Sequence, residues 1–141
     1  MVKMAEVKYF IYCEGVQNIF TPEGSKMSLN NPLLVLTPRF IPGTFTFSIS
    51  FGIQGFDQTA QNKLQIIFKD PSDTIIQDTG TVELPVAPKG NLPSEYVGIS
   101  LSIDYRNIVI NCDGEYSSTL VFNGETLGTY KIPVVKSSDK K

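Results

Sequence analysis

Between residues 44 and 54, apolar and polar side chains alternate without a break. Phe45, Phe47, Ile49, Phe51 and Ile53 fall on one side, and Thr44, Thr46, Ser48, Ser50, Gly52 and Gln54 on the other. A period of two is the repeat of a β-strand with one face on a core. At helical spacing the same five apolar residues would scatter around the circumference, so a helix is excluded. Pro42-Gly43 supplies turn chemistry just ahead of the run. Residues 96–106 repeat the pattern, with Val97, Ile99, Leu101, Ile103 and Tyr105 against Gly98, Ser100, Ser102 and Asp104.

Shorter runs fill the rest of the chain. Residues 7–14 set Val7, Tyr9, Ile11 and Cys13 against Lys8, Phe10 and Tyr12. Both faces are apolar, which predicts cover on both sides or a subunit contact. Residues 29–36 contain Pro32, which has no ladder donor and predicts an edge or broken strand. Further strands are expected at 63–69, 74–77, 81–84, 108–112, 116–122 and 126–134. Asp70-Pro71-Ser72-Asp73 suits a type I turn, and Asp113-Gly114 and Asn123-Gly124 are hairpin dipeptides. Residues 108–134 therefore predict a three-stranded meander. Residues 21–26 and 85–93 read as loops, and 93–96 has room for one helical turn.

Roughly eight to ten short strands with no helical stripe predict an all-β fold. The expected architecture is an antiparallel two-sheet β-sandwich, immunoglobulin-like or C2-like. A chain of 141 residues suits one domain. The reading assigns residues 1–136 to a single sandwich and 137–141 to a flexible C-terminal tail.

Composition sharpens this picture. Nine Phe, six Tyr and only 18% charged residues favour sheet and exclude disorder for the body of the chain. A net charge of −2 with scattered cations argues against a nucleic-acid partner. The one basic cluster, Lys136, Lys140 and Lys141, falls in or beside the expected tail. No apolar run reaches the length of a membrane-spanning helix, and no apolar signal segment follows Met1. The expectation is no membrane partner and a cytoplasmic setting. Cys13 and Cys112 are then expected as free thiols, with a bridge open only if their strands are neighbours.

The chain has no histidine. That excludes Ser-His-Asp and Cys-His nucleophilic machinery and His-based metal sites. No Gly-rich phosphate loop is present either. The reading therefore assigns no catalytic residue, no metal and no cofactor, and expects a protein that is not an enzyme. Asp57, Asp70, Asp73, Asp78, Asp104, Asp113 and Glu115 remain. Most fall in predicted turns, where Asp caps its own backbone. A carboxylate-based hydrolase needs two of them facing each other in one pocket. A calcium site needs Asp70 with Asp73, or Asp113 with Glu115.

Arg106, Asp104 and Arg39 are the candidate ligand-binding residues. Asp104 and Arg106 follow a small, polar strand face, and Arg106-Asn107 is expected to begin the next turn; the two charged residues suit either a surface ion pair or a grip on a phosphate or carboxylate. The faces Thr44, Thr46, Ser48, Ser50, Gly52, Gln54 and Gly98, Ser100, Ser102 carry no charge. Solvated sheet faces normally carry Lys and Glu, so cover is expected: the loop at 85–93, a second subunit or a foreign partner.

Three stretches carry a resemblance. They are Tyr-Phe-Ile-Tyr-Cys-Glu at 9–14, Leu-Gln-Ile-Ile-Phe-Lys-Asp-Pro-Ser-Asp at 64–73, and Asp-Gly-Glu-Tyr running through a strand to Asn-Gly at 113–124. Together they resemble a group of small, functionally uncharacterised bacterial and phage β-sandwich proteins. The resemblance implies the sandwich fold and a bacterial or phage setting, and brings no activity. Residues 20–36 depart from the group's pattern.

The functional expectation is a non-catalytic intracellular binding or assembly module. Its partner is itself, as a homo-oligomer, or another protein. The first alternative is a protein that sequesters a small anionic ligand, a metabolite or nucleotide, through Arg39 and Arg106. The second is a carboxylate-based hydrolase.

Overall fold

The computed structural model describes residues 5–137. Its strands are β1 (Glu6–Thr21), β2 (Gly24–Leu33), β3 (Gly43–Gln54), β4 (Lys63–Lys69), β5 (Ile75–Asp78), β6 (Val82–Glu83), β7 (Gly98–Ile110), β8 (Gly114–Phe122) and β9 (Glu125–Val134). They form two antiparallel sheets, ordered β2-β1-β3-β7 and β5-β4-β8-β9, with β6 also pairing β4. A 3₁₀ turn at Ser94–Tyr96 stands where one helical turn has room. Lys140 and Lys141 of the expected tail lie outside the described residues.

The alternation of β3 explains why the sheets stack. Phe47, Ile49, Phe51 and Ile53 are buried and meet Leu64, Ile66 and Phe68 of β4 and Leu120 and Phe122 of β8 in one cluster. Each such side chain removed from water stabilises the fold by about 1.5–3 kcal/mol. Phe47 sits at the centre, with its ring 5.5 Å from Phe68 and 5.1 Å from Tyr105. The chain then passes between sheets at Leu36. That residue is fully buried, its N–H donates to the Pro133 carbonyl at 2.9 Å, and its own carbonyl accepts from Val135 at 3.0 Å.

The strand sets β3–β7 and β4–β8–β9 match the B–E and C–F–G pairings of an immunoglobulin sandwich. A second mark agrees. Tyr116, near the start of β8, donates its hydroxyl hydrogen to the carbonyl of Cys112 four residues upstream, at 2.8 Å. This is the tyrosine corner of immunoglobulin-like domains. At the position two residues on, where antibody domains place a disulfide cysteine, stands fully buried Ser118.

The structure corrects some expectations and meets others. The predicted loop at 21–26 is a tight hairpin: Thr21 pairs Gly24, and β1 and β2 continue as a two-stranded arm. Pro32 does lie on an edge strand, as its missing donor requires. Arg106-Asn107 does not begin a turn. Asn107, at φ 54, forms a β-bulge opposite Thr46, and β7 continues to Ile110. Asp113-Gly114 does not close a hairpin, because β7 belongs to the first sheet and β8 to the second. The Tyr116–Cys112 bond holds that corner, with Pro71 packed where a Gly114 side chain would stand. The meander therefore shrinks to the β8–β9 hairpin, whose Asn123 (φ 51) and Gly124 (φ 82) have the two positive φ angles of a type I′ turn. Finally, Cys13 and Cys112 are both free thiols.

Candidate functional site

The outer face of β3 shows what covers an uncharged sheet. Tyr9 pairs with Gly52, and a side chain at Gly52 would lie 2.5 Å from the Tyr9 ring. Ser48 Oγ donates to Asp104 Oδ1 at 2.6 Å. Ser50 Oγ lies 3.4 Å from the Met27 sulfur. That last contact bends the hairpin. Ser50 pairs Ile11, whereas Met27 pairs Asn18, seven residues further along β1. Seven strand residues span about 23 Å, so the arm has to fold back across the sheet for the two side chains to meet. Cys13, paired with Ser48, is fully buried, and burial, with the Asp104 carboxylate adding to it, pushes the thiol pKa up.

Ser48, Ser50 and Gly52 are thus covered from within the chain, Thr44 and Thr46 are exposed, and the loop at 85–93 packs elsewhere. That loop joins the opposite rim, where Ala87 N–H donates to the Gln58 carbonyl and Gln58 Nε2 to the Pro88 carbonyl. The matching face of β7 differs: Gly98, Ser100 and Ser102 are exposed.

The three candidate binding residues come together loosely. Asp104 and Arg106 line an open cleft of about 400 Å³ with Glu14, Val16, Thr46 and Asn107. Arg39 lines a second, of about 610 Å³, with Phe40 and Phe45. The two clefts adjoin, since Thr46 and Asn107 border both. The bulge helps shape the junction: Asn107 N–H donates to Thr46 Oγ1 at 2.9 Å. The surface ion pair between Asp104 and Arg106 does not form, because the ion pairs within 4.0 Å among the described residues are Lys8–Glu6 and Lys131–Glu115. Both arginines are exposed, and Glu14 and Asp104 line the same cleft as Arg106.

The carboxylates serve the backbone. Asp57 Oδ1 accepts from Thr59 N–H and Oγ1, and these bonds hold its carboxyl below the usual range. Asp70 Oδ1 accepts from the N–H groups of Ser72 and Thr74. Asp78 Oδ1 accepts from Gln65 Nε2 and Gly80 N–H, which lowers its pKa too. Glu115 pairs with Lys131 at 3.7 Å. Asp57 and Glu125 share the rim of a cleft of about 320 Å³, yet a depressed Asp57 is a poor proton donor near neutral pH. No group of three or more Cys, Asp or Glu side chains able to hold a metal occurs among the described residues. No helix among them is long and apolar enough to cross a membrane.

Two tyrosines inside the sandwich contrast sharply. Tyr12 hydroxyl is bonded to Ser118 Oγ and donates to the Tyr130 carbonyl, both at 2.7 Å. Tyr105 hydroxyl is buried with no partner, and burial, with Asp78 nearby, pushes its pKa up to about 12. Sequence reasoning missed both, because alternation marks Tyr as core without saying where its hydroxyl ends.

Among solved structures, an immunoglobulin-like protein from Pseudomonas aeruginosa is similar over 95% of this chain and 98% of its own, with a TM-score of 0.50 and 13% identity. The alkylpurine DNA glycosylase AlkC of Pseudomonas fluorescens, bound to DNA containing an abasic site analog, is similar over 92% of this chain, with a TM-score of 0.50 and 8% identity. This chain spans 30% of that glycosylase. At such identities the likeness shows the fold alone, and that fold is an immunoglobulin-like sandwich. No family model and no curated protein matches the sequence.

Proposed function

We propose that the protein is a non-catalytic binding or assembly module that works in a reducing, cytoplasmic setting, where its two free thiols stay reduced. One observation carries the reading: the arm and crossover present large apolar side chains to solvent. Phe20 at the hairpin tip is 83% exposed, Leu34 89% and Phe40 65%. Leu34 also borders an open cleft with Phe10, Leu33 and Tyr130, and contiguous exposed apolar surface of this kind suits contact with other macromolecules. Asp57, Asp70 and Asp78, by contrast, are engaged in capping turns, and Asp104 and Glu115 bond Ser48 and Lys131. Their arrangement favours interaction over acid–base chemistry.

A second reading has its own support. Arg39 and Arg106 stand on adjoining clefts without a carboxylate within 4.0 Å among the described residues. Such guanidinium groups suit a small phosphate or carboxylate ligand. Native mass spectrometry on gently purified protein separates the two. A mass at multiples of the chain with no added component supports assembly. A reproducible small organic adduct, lost in Arg106→Ala, contradicts it and makes the anion binder the correct account.

A further inference from the structure

Open sheet edges invite another strand, and folded proteins guard them with proline, charge, bulges or brevity. Three edges here are guarded. β2 carries Pro32 and Lys26. The β5 and β6 side of β4 is built from pieces of four and two residues. β9 carries Lys131 and Pro133, and Leu36 pairs with its end. β7 is the exception, and only along its first half.

The second half of β7 has Asp104, Arg106 and the bulge at Asn107, and its inward residues Tyr105, Ile108 and Ile110 are buried. From Gly98 to Ile103 there is no charge, no proline and no break in register with β3. Inward-facing Ile99, Leu101 and Ile103 stay only half-buried there, and outward-facing Ser100 and Ser102 are exposed. This stretch also reads the same in both directions: Ile99-Ser100-Leu101-Ser102-Ile103.

We propose that β7 pairs antiparallel with β7 of a second copy, about a two-fold axis through Leu101, joining the two β2-β1-β3-β7 sheets into one. The inference rests on the assembly reading and names its partner. A two-fold contact must be self-complementary, and the palindrome makes it so. Ile99 faces the partner's Ile103, Leu101 faces its own copy, and Ser100 faces the partner's Ser102. Asp104 falls opposite the partner's Gly98, so no like charges meet. The half-buried aliphatic residues gain neighbours on their open side, and uncharged Ser100 and Ser102 gain cross-strand neighbours of the same kind.

Sedimentation equilibrium on the full chain tests this with two variants at exposed positions. Ser100→Lys with Ser102→Lys sets lysine against lysine twice, and the dissociation constant should rise by about tenfold. Ser100→Glu with Ser102→Lys sets glutamate against lysine twice and should restore dimerisation to the wild-type level or better. An unchanged thermal midpoint for each variant shows that the monomer fold is kept. A wild-type dimer that neither variant alters overturns the β7 interface and leaves the assembly reading standing. A Glu/Lys variant as weak as the Lys/Lys variant overturns the register. A chain that stays monomeric up to its solubility limit overturns self-association itself.

Discussion

The two buried tyrosines make opposite predictions for the same substitution. Tyr130 offers a carbonyl, which only accepts, so the single Tyr12 hydroxyl hydrogen goes there, and Ser118 must donate to the Tyr12 oxygen. Tyr12→Phe removes both bonds. It leaves Ser118, fully buried, with a donor and no acceptor. At about 1 kcal/mol for each lost bond, the cost is about 2 kcal/mol. For a chain of this size that lowers the thermal midpoint by about 6 °C. Tyr105→Phe removes a hydroxyl that is buried and unpartnered. Its stability should be unchanged or higher by up to about 1 kcal/mol. Urea denaturation of both variants reads the difference as a shift in midpoint at constant slope. Equal losses from the two substitutions, or a Tyr12→Phe cost below about 0.5 kcal/mol, would refute the hydrogen-bond assignment.

Other outcomes follow from the same structure. Burial pushes Tyr105 and Tyr116 up to about 12 and Tyr12 higher still, so the fold keeps protons that the unfolded chain releases near the ordinary tyrosine value of about 10. Stability is therefore full below about pH 10 and falls as the pH climbs through the tyrosines' folded values. Urea midpoints across that range check this, and a flat or rising profile contradicts it. Gly52→Ala should cost about 1 kcal/mol by pressing on the Tyr9 ring, 2.5 Å from the added carbon. Tyr9→Ala in the same chain should recover part of that cost, and strictly additive losses would show that the ring is not the obstacle. Phe20→Ser should change stability by less than about 0.5 kcal/mol, since the ring is 83% exposed; a larger loss would make the hairpin tip part of the fold rather than a display surface.

Much of this architecture was legible in the residues. β3 and β4 follow directly from alternation, because one wet or small face and one apolar face leave a single arrangement on the pleat. Asn123-Gly124 turned as its chemistry requires, since Asn and Gly tolerate positive φ at low cost. The errors share a cause. Asp113-Gly114 has the same local preference as Asn123-Gly124, but whether flanking strands pair or part is settled by distant packing, here by Tyr116 reaching Cys112. Arg106-Asn107 carries turn chemistry that a bulge satisfies equally well. Residues 21–26 hide a hairpin because Thr-Pro-Glu-Gly resembles a loose loop until Gly24, at φ 126, is seen opposite Thr21.

The candidate site was legible only in part. Arg39 lies far from Asp104 and Arg106 in sequence, and adjoining clefts join them only because β3 carries Thr46 beside the bulge of β7. The uncharged faces signalled cover correctly only at Ser48, Ser50 and Gly52, since Thr44, Thr46 and the β7 face are exposed, and composition does not name the cover. Tyr9 and Met27 supply it for β3, from strands whose register no periodicity reveals. β7 shares the same composition and lacks the same neighbours.

Hydrogen–deuterium exchange at low and high protein concentration addresses the central claim most directly. Slower exchange at high concentration, confined to the backbone of residues 98–104, is the result that pairing through β7 predicts. Rates there that do not depend on concentration, or protection that appears instead along the clefts of Arg39 and Arg106, would contradict it.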